Sequence, residues 1–123
     1  MPIDFKFTKE QELFRKTVRE LCEKVVAPKV KEMFKERMVV KDVHEAFAKQ
    51  GLWGLLIPPE YGGQGADFIT FMVAVEEVAR ADLSGLASFA IAYHSACSLT
   101  LAKYAKEKLK EEVLPKIAAA EDR

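Results

Sequence analysis

The sequence predicts an all-α protein, a bundle of about five or six helices. Three observations carry that expectation. Apolar residues recur at spacings of three and four along most of the 123 residues. Alternating strand-like runs and internal repeats are absent. The strongest helix breakers gather in one short segment, where Pro58, Pro59, Gly62, Gly63 and Gly65 fall close together.

The helices follow in order. Thr8 with Gln11 three residues on fits a capping box, and Phe14, Val18, Leu21, Cys22 and Val25 then keep helical spacing. A first helix is expected from Lys9 to Ala27. Pro28 breaks or kinks it, because proline has no amide to donate, and Lys29 to Arg37 resumes with helix-forming composition. Asp42 to Gln50 forms a shorter helix that Gly51 ends as a left-handed cap. Leu52 to Ile57 is a short apolar segment leading into the proline and glycine turn. Asp67 is placed to cap a helix through Phe71, Val75 and Val78 to Arg80 or Asp82. Ser84 and Gly85 make a second turn.

From Leu83 to Ala102 no residue is charged. Seven of those positions are Ser, Thr, His or Gly, too polar for a lipid-spanning helix. The expectation is therefore a helix buried on all sides, around which the others pack. A charged segment from Lys103 to Glu112 continues into Leu114, Pro115 and a short alanine tail.

Length and composition bound the class. One core and one domain suit a chain of this size, which buries roughly two thirds of its unfolded surface. Half the residues are hydrophobic and 31% are charged, the profile of a soluble globule. Nineteen basic and nineteen acidic residues cancel, so no field draws nucleic acid or an anionic membrane. Cys22 and Cys97 lie far apart and outside any CxxC pair, which points to a reducing compartment. The opening residues mix charges where a secretory leader needs an apolar run, so the expected location is cytoplasmic.

Local signals for chemistry weigh toward structural roles. His44 and Glu45 begin an HExxH pattern, but the fifth position is Ala48, so no metal site is expected. Gly62, Gly63 and Gly65 follow no strand and match neither GxGxxG nor a P-loop spacing, which favours a turn over a phosphate cradle. His94 and Ser95 are neighbours without an acidic third member, and a buried hydroxyl or imidazole usually bonds within its core. Glu76 and Arg80 are spaced to pair across one helical turn. Ser88, Ala92 and Ala96 recur every four residues, leaving one face of the uncharged helix with little bulk. Such a face admits a close neighbouring helix or an apolar ligand, and packing is the commoner use.

The run from Gly51 to Gly65, GLWGLLIPPEYGGQG, strongly resembles the GLxGLxxPxEYGG signature of the acyl-CoA dehydrogenase N-terminal domain. Asp4-Phe5 with Thr8 to Gln11 is similar to that family's DFxxTEEQ opening. Glu76 to Asp82 looks like its EELARAD helix end, and Leu114 to Ala118 matches its LPKLASGE closing stretch. Four motifs in order cover nearly the whole chain, residues 1–123. The resemblance implies a chain about three times longer in the complete enzyme, with a β-rich middle domain and a C-terminal helical domain that are absent here. In that enzyme the flavin FAD binds through the later domains, which also hold the catalytic glutamate. The reaction implied removes two hydrogens from the α and β carbons of a fatty acyl-CoA.

What the resemblance assigns to this chain is one wall of the acyl-chain pocket and a packing surface for the other domains. Ser88, Ala92 and Ala96 are the substrate-binding residues so implied, and their small size implies a deep slot. Each further methylene buried there is worth about 0.8 kcal/mol, which favours long or bulky acyl groups. No catalytic, cofactor-binding or metal-binding residue is assigned, and the chain alone is expected to be inactive and free of cofactor. The implied partners are the missing domains, acyl-CoA and further copies in a homo-oligomer, with no nucleic acid and no membrane. A rival reading keeps the fold as a stand-alone binding or scaffold module without redox activity. One departure is local. The family's glycine turn before the last helix is replaced by Tyr104-Ala105-Lys106, where positive φ is disfavoured.

Overall fold

The structure is a computed structural model that describes residues 4–121. Among these residues the ordered elements are all helical: α1 (Lys9–Leu21), α2 (Val30–Glu36), α3 (Lys41–Lys49), α4 (Phe68–Ala81), α5 (Leu86–Tyr104) and α6 (Glu107–Ala118). The all-α expectation is met. The predicted capping box is present, with the Gln11 amide donating to Thr8 Oγ1 at 3.1 Å and the Thr8 amide donating to Gln11 Oε1 at 2.9 Å. Asp67 caps α4 by accepting from the Thr70 amide at 2.7 Å. Gly51 ends α3 at φ +74°, a conformation glycine takes without a Cβ penalty.

The first helix differs from the expected Lys9 to Ala27. It is α-helical only to Leu21, widens into a π segment from Cys22 to Val26 and tightens into a 3₁₀ turn from Ala27 to Lys29. Pro28 is the cause. Its ring cannot tolerate the carbonyl four residues back and it donates no hydrogen bond, so the helix loosens just ahead of it. The Ala27 amide accordingly reaches the Cys22 carbonyl, five residues back. At the other end, Ala105 adopts φ −71° and ψ 155°, so the turn before α6 needs no glycine. α6 also runs past Glu112 and through Pro115 to Ala118.

The core gathers Val18, Cys22 and Val26 with Met33, Val43 and Phe47, then Leu52 to Leu56, then Phe71, Ala74 and Val78. α4 packs against α1, the π segment and α5; α5 packs against α4, α6 and the Leu52–Gly54 turn. This corrects the expectation for the uncharged helix. α5 is not walled in on all sides: Ala87, Ile91, Ser95 and Ser98 are buried, whereas Phe89, Tyr93, Ala96, Cys97 and Thr100 are exposed. The helix lies along a flank, and α4 holds the more central place. The physical reason is that absence of charge reports only a low cost of desolvation. It does not say which partner supplies the burial.

Candidate functional site

α5 carries the predicted site residues, and Asp82 fixes where it begins. One carboxylate oxygen accepts from the Ser84 amide and hydroxyl, and the other accepts from the Ala87 amide at 2.8 Å. A buried anion thus satisfies a free amide in the first turn of α5 and lies at the positive end of its dipole. Ser88 points back within the same turn, its hydroxyl donating to the Gly85 carbonyl at 3.2 Å.

Ser88 and Ala92 are half-buried and Ala96 is exposed. The stripe therefore borders the bare flank, and among the described residues no helix covers Ala96. The same flank is apolar. Phe89 and Tyr93 are 67% and 64% exposed and stack on one another at 5.7 Å between ring centroids. Leu83 at the preceding turn is 89% exposed. Large apolar residues left in water cost free energy that a docking partner or ligand recovers.

Next to that flank, and sharing Tyr93 with it, lies a cavity of about 450 Å³ that the sequence reasoning missed. Ala90, His94 and Cys97 line it from α5, with Trp53 and His44 opposite. Trp53 sits between the two imidazoles, 5.1 Å from each by ring centroids, and its indole N–H donates to the His44 carbonyl at 3.1 Å. Burial holds the His94 imidazole below its ordinary pKa; the Ile117 backbone opposes that effect and His44 adds to it. His94 Nε2 is buried without a hydrogen-bond partner. Ser88, Ala92 and Ala96 do not line this cavity.

The amides of Gly62, Gly63, Gln64, Gly65 and Ala66 all donate to carbonyls of residues 54 to 59. They are spent inside the turn, so the glycines form no phosphate cradle. Tyr61 ties the turn to α6 by donating to Glu107 Oε1 at 2.6 Å, a bond that raises its own pKa to about 12. Glu76 and Arg80 do not pair with one another as expected. Glu76 reaches Arg15 and Arg80 reaches Glu23, each at 3.4 Å. Ser95 Oγ is buried without a partner, contrary to the expectation of a core hydrogen bond. Among the described residues no three His, Cys, Asp or Glu gather as metal ligands, and no helix is long and apolar enough to cross a membrane.

An all-helical bundle with a bonded proline and glycine turn and a half-bare helix uncharged up to Ala102 defines a class, and comparison with known proteins identifies it. Residues 8–121 match the family model for the acyl-CoA dehydrogenase N-terminal domain, and the chain belongs to that family. A probable acyl-CoA dehydrogenase of Mycobacterium tuberculosis is 36% identical over 115 residues, covering 94% of this chain and 29% of the relative. The mitochondrial short/branched chain specific acyl-CoA dehydrogenase of Bos taurus is 32% identical over 112 residues, covering 91% of this chain and 26% of that protein. Among solved structures, butyryl-CoA dehydrogenase of Megasphaera elsdenii superimposes with a TM-score of 0.81 at 27% identity, over 97% of this chain and 32% of the other. The chain thus spans less than a third of the length of these relatives.

Proposed function

We propose that this chain serves as the N-terminal domain of an FAD-dependent acyl-CoA dehydrogenase-type oxidoreductase of the cytoplasm. The bare side of α5 is one wall of the acyl pocket and the seat for the flavin-binding and catalytic domains. The observation that carries this reading is the apolar flank itself, where Phe89 and Tyr93 stand exposed beside Ser88, Ala92 and Ala96. Small side chains there leave room for an acyl chain, and the aromatic pair supplies apolar area to bury against a partner.

The proline and glycine turn offers FAD no phosphate cradle. The turn amides that would face a phosphate are already bonded, and no chemistry of the flavin is routed through these residues. Acyl-CoA oxidation and FAD binding belong to the complete enzyme, assembled with the middle and C-terminal domains as a homo-oligomer. Mixing the chain with separately produced middle and C-terminal domains tests this. The expected result is bound yellow flavin and acyl-CoA oxidation that neither part has alone. In that assembly Ala92→Phe shifts preference toward shorter acyl chains. A mixture that stays colourless and inert favours a stand-alone scaffold, and unchanged selectivity removes Ala92 from the pocket.

A further inference from the structure

A groove of about 570 Å³ lies where the end of α2 meets the turn before α5, lined by Phe34, Lys35 and Arg37 on one side and by Ser84 and Leu86 on the other. It uses none of Ser88, Phe89, Ala92, Tyr93 or Ala96 and nothing from the cavity beside Trp53. Phe34 is 73% exposed, so a large apolar ring borders the groove in water. The ion pairs of the described residues involve neither Lys35 nor Arg37. Two cations therefore share one groove with no carboxylate paired to either. Ser84 adds no free donor, because its hydroxyl donates to Asp82 and accepts from the Leu86 amide. Asp82 in turn is spent on the Ser84 and Ala87 amides.

We propose that this groove binds a small amphipathic carboxylate, an apolar chain ending in one acid group. Phe34 and Leu86 take the chain, and Lys35 and Arg37 take the acid, the guanidinium offering a two-bonded fork that matches a carboxylate. A neutral chain of equal length forgoes the charged contact, and a cationic one is repelled. Because the groove is open to solvent, added salt weakens binding.

Arg37 separates binding from folding. It caps α2 in the left-handed conformation at φ +56°, which glycine adopts more readily than any residue bearing a Cβ. Arg37→Gly therefore removes a cation while raising Tm. Titration of the 123-residue chain with sodium octanoate, followed by amide NMR, is expected to give saturable shifts at Phe34, Ser84 and Leu86. 1-Octanol and octylammonium are expected to bind roughly tenfold more weakly, and Arg37→Gly and Lys35→Gln each to weaken octanoate roughly fivefold. Equal binding of octanoate and octanol overturns the proposal, as does full affinity in both variants. Shifts confined to Phe89 and Tyr93 place the chain on the acyl flank and overturn the groove. Shifts at the groove that vanish when the middle and C-terminal domains are mixed in assign it to domain packing instead. Should Arg37→Gly fail to fold, Lys35→Gln, at an exposed position, decides alone.

Discussion

Arg19 closes a two-bonded fork on Glu77, its Nε donating to Oε2 and its Nη2 to Oε1, each at 2.9 Å. Arg15 adds a third bond to Oε1 at 2.8 Å. The Glu77 side chain is 1% exposed, so α1 and α4 are joined by a buried carboxylate whose charge is met on two sides. Bidentate geometry of this kind offsets the desolvation that makes most buried ion pairs poor stabilisers.

Removing the acid should therefore be costly. Glu77→Ala is expected to destabilise the fold by about 3 kcal/mol, the low end for breaking a buried pair, because the half-exposed Arg19 turns back to solvent. Urea denaturation followed by helical signal measures it. A loss within the scatter of ordinary surface substitutions would make the fork incidental.

Asp82 governs the start of α5 in the same way. Asp82→Ala leaves the Ala87 amide unpaired in a buried place and the half-buried Ser84 amide without its acceptor, and should cost about 1.5 kcal/mol. For a chain of this length that is a fall in Tm of roughly 6 °C. Asp82→Asn retains acceptor oxygen and should lose about half as much, so calorimetry of the pair separates the hydrogen bond from the side chain's bulk.

In the proline and glycine turn, space outweighs backbone sign. Gly62 has φ +86°, yet a Cβ there meets nothing within 4 Å; at Gly63 a Cβ would collide with the Ile57 carbonyl. Gly62→Ala should cost about 1 kcal/mol, the left-handed penalty alone. Gly63→Ala should cost at least twice that, since the backbone of the turn must move to admit it. Thermal unfolding of the two variants gives the order, and the reverse order would show that the turn relaxes freely.

These cases show which parts of the molecule were legible. Caps and stops were, because Thr8, Gln11, Asp67 and Gly51 act on residues within four positions of themselves. The fate of Glu77 was not: it and Glu76 are adjacent and both reach Arg15, and the fork that sets Glu77 apart comes from Arg19, 58 positions away. A signal existed in the spacing of Phe71, Ala74 and Val78, whose buried face takes in position 77. The flank of α5 was misread because an uncharged face is equally suited to a core and to an interface. The cavity at Trp53 escaped because it is formed only where α3, the apolar turn and α5 converge.

The bare flank of α5 also sets solution behaviour. Phe89 and Tyr93 offer a stacked, water-exposed pair, so the chain on its own should self-associate in a concentration-dependent manner. Replacing both by lysine should yield a monomer with stability changed by no more than about 0.5 kcal/mol, as for other exposed positions. Light scattering checks the first statement and denaturation the second. A wild-type chain that remains monomeric at high concentration would remove the flank as a docking surface.

Acid should weaken the fold in two separate stages. His94 has its pKa lowered, chiefly by burial, so the unfolded chain binds its proton more readily than the folded one. Stability from this source is complete above the ordinary histidine value of 6.5 and declines as pH falls below it. Glu77 has its pKa lowered, led by the Arg19 hydrogen bonds against the opposing effect of burial. Its contribution is complete above the ordinary 4.5 and is lost only as pH falls further, toward and through the depressed folded value. A plot of Tm against pH should therefore bend twice. His94→Phe should remove the upper bend and leave the lower, while Glu77→Gln should leave the upper and shrink the lower to the share of Asp67, whose pKa the Thr70 amide also lowers. In the folded chain Trp53 fluorescence should change below the onset of the upper bend, where the imidazole beside the indole titrates at its lowered pKa. A single bend below pH 4.5 that His94→Phe leaves unaltered would mean the imidazole gains enough water in the folded state to titrate normally.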